Sequence, residues 1–325
     1  MRRSETIGGC SERDLLLMTT HILVIGAASI DTKGRAREPI RAGTSTPGAI
    51  RVSVGGVARN IAENLVRLGE PVVLLSAVGD DGSGRRILHQ ASECGIDVRH
   101  VVVSGDYHTA AYLAVLDEQG ELLISIDDMV IHRRLITPGL VYRHRGLFRD
   151  ARMVIVDANL APTTLRTIFA LAARYRVPVC ADPATGSLAP RLRPYLSQLL
   201  LVVPNGAEAE TLCGVAVRDR ETALEAAQAL VGLGVQIAIV ALGATGVVYA
   251  TSQESGHVPA MAVDVVDLTG AGDAMTAATV FGLLNDFAVI EAVRLGVAAA
   301  ALTLQSRETV RPDLSLERIY DQLAI

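Results

Sequence analysis

From His21 onward, short apolar runs alternate with stretches whose apolar residues recur at helical spacing, and this alternation constrains the fold more than any other feature. His21 to Gly26 reads as a buried strand. Residues 57 to 68 follow as a helix with Val57, Ile61, Leu65 and Leu68 on one face and Gly69 as its stop, and Val72 to Val78 returns as a strand. Met153 to Val156 precedes a helix over 162–175, Val179 to Ala181 is a further strand, and Leu200 to Val203 precedes a helix over 207–213. Ile237 to Leu242 follows a helix over 221–232. This order predicts an α/β fold, a mostly parallel sheet with helices on both faces in three α/β/α layers.

Two stretches break the alternation. Residues 35–54, and the segments Ala110 to Asp117 and Glu121 to Asp127 joined across Gln119-Gly120, are expected to form antiparallel strands outside the main layer, a small inserted β-sheet lid over the sheet edge. With no internal repeat and no low-complexity linker, residues 21–325 are expected to be one domain carrying that lid. Residues 1–20, with Met18 just before the first strand, are expected to be a disordered N-terminal extension.

Half of the 325 residues are hydrophobic, enough for a large core, yet no stretch has the 18 or so uninterrupted apolar residues of a membrane span. A formal net charge of −5 and the absence of Trp leave neither a basic footprint nor a stacking platform, so no nucleic-acid polymer is expected as partner. Cys10, Cys94, Cys180 and Cys213 stand singly, without zinc-site or disulfide spacing, and the chain reads as cytoplasmic. Lys33 is the only lysine, so the P-loop and protein-kinase motif sets are excluded; its Asp-Thr-Lys-Gly setting predicts an exposed turn.

The chemistry concentrates in Asp267-Leu268-Thr269-Gly270-Ala271-Gly272-Asp273, which opens a helix expected from Ala274 to about Leu284. Gly270 and Gly272 around Ala271 let backbone N–H groups converge at the positive end of the helix dipole, a seat for phosphate. Asp273 is placed to take the proton of a hydroxyl attacking a phosphoryl group held there, which predicts a small-molecule kinase. In isolation, an ordinary tight turn with Asp273 as a capping residue fits equally well.

Further clusters fall in a telling order. Ser29 and Asp31 lie just past the first strand, at the sheet edge where open α/β folds bind ligands, although a surface turn would look the same. Gly55-Gly56 opens the helix bearing Asn60, whose amide both donates and accepts. Asn205 and Glu208 stand one turn apart after a strand, suited to phosphates and hydrated magnesium or, alternatively, to a helix-capping box. Gly243 and Gly246 follow another strand and would let a nucleotide lie against backbone.

In this order the motifs resemble those of the PfkB, or ribokinase, family of carbohydrate and nucleoside kinases, from about His21 to Leu316. The carriers are Gly55-Gly56 with Asn60, Gly79 to Gly84, Asn205 to Glu208, Gly243 to Gly246 and Asp267 to Asp273. The resemblance implies a ribokinase-like fold using ATP and Mg2+, with Asp273 as general base and Gly270, Ala271 and Gly272 as the anion hole. It implies that Asn205 and Glu208 organise magnesium and phosphates and that Gly243 and Gly246 lie along ATP. It also implies a K+ site near Asp267, Thr269 and Ser306, although Ser306-Arg307-Glu308-Thr309 departs from the ribokinase form of that loop. Lid strands often pair between subunits in the family, so a homodimer through the lid is expected.

Strings outside the shared motifs, among them Gly26 to Asp31, Leu75 to Gly79, Ile126-Asp127-Asp128-Met129 and Pro312 to Ser315, are similar to those of the pseudouridine kinase branch. Asp127 stands where that branch has asparagine. The implied reaction is transfer of the ATP γ-phosphoryl group to the 5′-hydroxyl of pseudouridine; another nucleoside or ribose is the nearest rival acceptor, and a non-catalytic nucleotide-binding regulator a more distant one. Asp31, Gly56 and Asn60 would fix the ribose, with Thr109, Tyr112, Asp128 and Asn159 covering the base. Asp273, taken with an ordinary aspartate pKa of about 3.9, would be ionised at neutral pH and need only positioning.

Overall fold

The computed structural model describes residues 21–324, so the extension expected over 1–20 lies outside the described residues. The strands are β1 (His21–Ile25), β2 (Ser29–Ala36), β3 (Gly48–Gly55), β4 (Val72–Leu75), β5 (Ala77–Gly79), β6 (Val102–Ser104) and β7 (Ala111–Leu116). They continue with β8 (Leu122–Asp128), β9 (Ala151–Asp157), β10 (Val179–Asp182), β11 (Leu201–Val202), β12 (Ile237–Ala241), β13 (Val247–Ala250) and β14 (Ser255–Val258). Eight form the central sheet in the order β14-β13-β12-β11-β10-β9-β1-β4. From β4 to β12 the neighbours are parallel; β13 and β14 extend the sheet antiparallel.

Alternation along β1 shows why both faces are covered. Ile22 and Val24 point into one core with Ile61, Leu65, Ala274 and Val293; Leu23 and Ile25 point into the other with Leu165, Ile168 and Leu230. Parallel strands demand crossover connections, and the helices that supply them bury both faces. The carboxyl ends of β1, β9, β10, β11 and β12 consequently share one rim, the edge where such sheets bind ligands. Among the described residues no helix is long and apolar enough to cross a membrane.

The lid is a four-stranded sheet ordered β3-β2-β7-β8. It starts earlier than residue 35, because β2 leaves the rim only three residues after β1, and residues 37–47 interrupt the hairpin as a loop. Nor is it wholly antiparallel: β2 pairs parallel with β7, the two being joined through the intervening β4 unit of the main sheet rather than by a turn. The strand expected over Val72 to Val78 divides at Ser76, whose hydroxyl donates to the Gly26 carbonyl at 2.7 Å, and β5 goes on to pair with β6.

Candidate active site

The helix Ala271–Leu284 begins three residues sooner than the sequence pattern suggests, with Gly270 as its N-terminal cap at φ +83°. A Cβ at Gly270 would overlap the Thr309 carbonyl, so both conformation and space select glycine there. The first intrahelical bond of this turn is made by the Ala274 N–H to Gly270 O at 2.9 Å, which leaves the N–H groups of Ala271, Gly272 and Asp273 at the dipole's positive end. Gly272 faces open space.

Asp273 lies in the first turn, where Asn60 Nδ2 donates to its Oδ2 at 2.8 Å. The side chain keeps some contact with solvent, but protein surrounds its carboxyl. That burial pushes the pKa up to about 7; the Asn60 hydrogen bond pulls it down, and Asp31 and Asp157 add upward pressure. Asp273 is therefore not the ordinary, fully ionised aspartate expected from sequence. Asn60 is itself held, its Oδ1 accepting from Arg59 Nη1 at 3.0 Å.

Asp31 is buried beside this pair, and Ser29 Oγ donates to its Oδ1 at 2.9 Å. Burial raises its pKa against the Ser29 bond and the nearby Lys33 and Arg59 charges. A side chain at Gly55 would overlap the Asp31 carboxylate, and Gly56, at φ +94°, caps the Asn60 helix. Ser53, Asp31, Tyr112 and Asp127 are successive cross-strand partners and form one row on one face of the lid. Asp128 pairs with Ala111 one position along and so belongs to the opposite face with Ile126, its Oδ1 accepting from Val130 N at 3.3 Å. Strand alternation thus brings Asp127 into the row with Asp31 in place of Asp128.

Thr109 is buried with its hydroxyl engaged, donating to Asp81 Oδ1 at 2.7 Å and accepting from Gly79 N at 2.9 Å. It braces the loop behind the lid. Asn159 is buried on the rim, its N–H bonded to Asp157 Oδ1 at 2.9 Å. Asp157, at the carboxyl end of β9, also accepts from Ala27 N at 2.7 Å, and burial raises its pKa. Asp182, at the end of β10, is pushed well above the carboxylate range by burial and then by Asp273. Sequence reading missed both acids; their signal was a position at the carboxyl end of a parallel strand.

Asn205 and Glu208 form the capping box that the sequence left open: Glu208 N donates to Asn205 Oδ1 at 3.0 Å, and Asn205 N to Glu208 Oε2 at 2.9 Å. Burial raises the Glu208 pKa. An isolated bridge ties Asn205 to Ala241, bringing it beside Gly243 and Gly246, both at positive φ. Among the described residues no three His, Cys, Asp or Glu side chains gather as a metal site. One carboxylate nevertheless suits Mg2+, which keeps several waters and is held largely by substrate phosphates. A groove of about 580 Å³ is lined by Val258, Ala260, Met261, Phe287, Arg294 and Tyr320; it borders the Gly246 turn, where an added side chain would meet Val258, Pro259 and Ala260.

Lys33 is not in an exposed turn. It lies within β2, with its Nζ 2.8 Å from both carboxylate oxygens of Asp267 and hydrogen-bonded to Thr269 Oγ1. Burial would raise the Asp267 pKa, but the Lys33 bond and the Thr269 N–H outweigh it and hold the carboxyl below its usual range. Ser306 is not drawn in: its hydroxyl accepts from Glu308 N at 3.0 Å within its own loop. The structure thus gathers Asp31, Asn60, Asp157 and Asp273 about the helix mouth, and sets the Lys33 ammonium against Asp267 and Thr269.

Comparison with known proteins identifies the family. Residues 19–315 match the family described as pfkB family carbohydrate kinase. The chain is 34% identical over 300 residues to pseudouridine kinase of Escherichia coli K12, covering 92% of this chain and 95% of that protein. It is 32% identical over 292 residues to guanosine-inosine kinase of Exiguobacterium acetylicum, covering 88% and 95% respectively. Its fold matches Arabidopsis thaliana ribokinase complexed with ribose and ATP at a TM-score of 0.81, with 21% identity over 95% of this chain and all of that one. The chain belongs to the pfkB family of carbohydrate kinases, phosphotransferases that act on a hydroxyl group.

Proposed function

We propose that this kinase transfers the ATP γ-phosphoryl group to the 5′-hydroxyl of pseudouridine. The observation that carries the catalytic part is the Asn60–Asp273 hydrogen bond at the mouth of the Ala271–Leu284 helix. A hydroxyl between Asp273 and the free N–H groups of that first turn would have a base on one side and a phosphate seat on the other. Asp31, Gly56 and Asn60 hold the ribose, while Tyr112 and Asp127 cover the base from the lid. Asn205, Glu208, Gly243 and Gly246 lie along the nucleotide. Magnesium on the phosphates supplies the neutralisation of charge that phosphoryl transfer needs.

Pseudouridine is supported by 34% identity to a pseudouridine kinase across nearly the whole chain. A purine nucleoside is the second reading, favoured by 32% identity to a guanosine-inosine kinase. An ADP-release assay with ATP and Mg2+, comparing pseudouridine, uridine, cytidine, adenosine, inosine and ribose at equal concentration, tests both. Preference for pseudouridine is expected; preference for inosine or ribose would keep the chemistry and overturn the substrate.

We propose further that the protein is a cytoplasmic homodimer joined through its lids. The face opposite the Asp31 row exposes Ile50, Val52, Leu113, Ile124 and Ile126, the first at 78%. The outer strand β8 is exposed along its length, an unpaired apolar edge that a second copy would cover.

A further inference from the structure

Asp267 and Thr269, where family resemblance puts a free monovalent cation, already hold one that is covalently part of the chain. We propose that the Lys33 ammonium does the work of that cation, so that this kinase needs no potassium. The inference rests on the phosphotransferase reading of the same site. An ammonium has three donors, and those of Lys33 serve three oxygens: Oδ1 and Oδ2 of Asp267, each at 2.8 Å, and Oγ1 of Thr269. Asp267 Oδ1 also takes the Thr269 N–H at 2.9 Å. A second cation on these atoms would meet the lysine's charge at contact distance, and Asp267 Oδ1 already accepts twice.

In the late loop two of the polar groups are already engaged. Ser306 is turned to Glu308, and the Arg307 carbonyl accepts from Arg51 Nη1 at 3.0 Å. Arg51 is the cross-strand partner of Lys33, so neighbouring lid strands carry both positive charges to the segments flanking Gly270. This is more than a solvated surface pair, since the Lys33 and Asp267 side chains are only 13% and 23% exposed and correspondingly less screened. Thr269 directly precedes Gly270, so the lysine fixes the backbone that enters the anion hole. Lys33 is a positioning residue: it places the N–H groups that receive phosphate and joins that placement to the lid.

The test uses the full chain and the Lys33→Met variant in potassium, ammonium or tetramethylammonium chloride at constant ionic strength, reading unfolding temperature without substrate and ADP release with the acceptors named above. The wild-type protein should behave alike in all three salts. Lys33→Met should lose about 10²-fold in turnover in tetramethylammonium, the scale of a misplaced site, and recover when potassium or ammonium enters the vacated position, with a higher unfolding temperature in those salts. A wild-type unfolding temperature or turnover that rises with potassium overturns the proposal. So does a variant that keeps full turnover in tetramethylammonium, or one that no small cation restores. Should Lys33→Met not fold, the wild-type salt comparison still decides, with Lys33→Gln as the second variant. A wild-type protein that releases ADP with none of the acceptors sinks the kinase reading, while its unfolding temperatures still judge the lysine.

Discussion

Asn60 donates to Asp273 at 2.8 Å across a sequence separation of 213 residues, joining the first turns of two helices at one rim of the sheet. The bond opposes the burial that drives the Asp273 pKa up to about 7 and is the largest influence favouring its ionised form.

Replacing Asp273 with Asn removes the proton acceptor and keeps the shape. Turnover should fall by roughly 10² to 10⁴, the usual scale for loss of a general base, while ATP binding measured by calorimetry stays near wild type. Unimpaired turnover would remove Asp273 from the mechanism.

The same group sets two pH dependences. As a base, Asp273 must be deprotonated, so kcat/KM should rise with pH through about 7, and Asn60→Ala, lacking the bond that lowers this pKa, should move the rise to higher pH. For stability, a folded pKa above the unfolded one favours the neutral acid. That contribution is fully present below the unfolded value and lost as pH rises through about 7. The unfolding temperature of Asp273→Asn relative to wild type should therefore increase from pH 4 to pH 8.

Gly270→Ala places a side chain at φ +83° against the Thr309 carbonyl. A left-handed alanine alone costs about 1–2 kcal/mol, and the overlap adds to it. A clear drop in unfolding temperature together with lost turnover is expected; a neutral substitution would show that the turn relaxes freely.

Asp127→Asn exchanges an acceptor-only carboxylate for an amide in the row with Tyr112 and Asp31. If the row reads the base, the ratio of kcat/KM for pseudouridine to that for other nucleosides should change while ribose is unaffected. An unchanged ratio would place base recognition elsewhere.

Ile126→Glu puts a charge on the apolar outer face of the lid, at a residue 61% exposed. Light scattering should give a dimer mass for the wild-type protein and half that mass for the variant. Equal masses would exclude this face as the interface.

Local information was enough for much of the fold. The 3.6-residue pattern over 57–68 yields the helix Val57–Arg67, stopped by Gly69 at φ +92°, because periodicity and a left-handed glycine act within a few residues. The glycines around Ala271 likewise marked a helix mouth by local conformation alone. Lid boundaries were less legible: β2 pairs parallel with β7, whose residues lie about 80 positions further along, and no short-range pattern specifies that partner.

Sequence by itself determined the layered α/β order, the glycine turn and the acid that follows it, since each depends on neighbours along the chain. Tertiary structure alone decided that burial pushes the Asp273 pKa up to about 7, that Asp157 and Asp182 join its surroundings, and that Lys33 reaches Asp267 across 234 residues. Those outcomes depend on desolvation and charge proximity, which exist only once distant strands have been brought to the same rim.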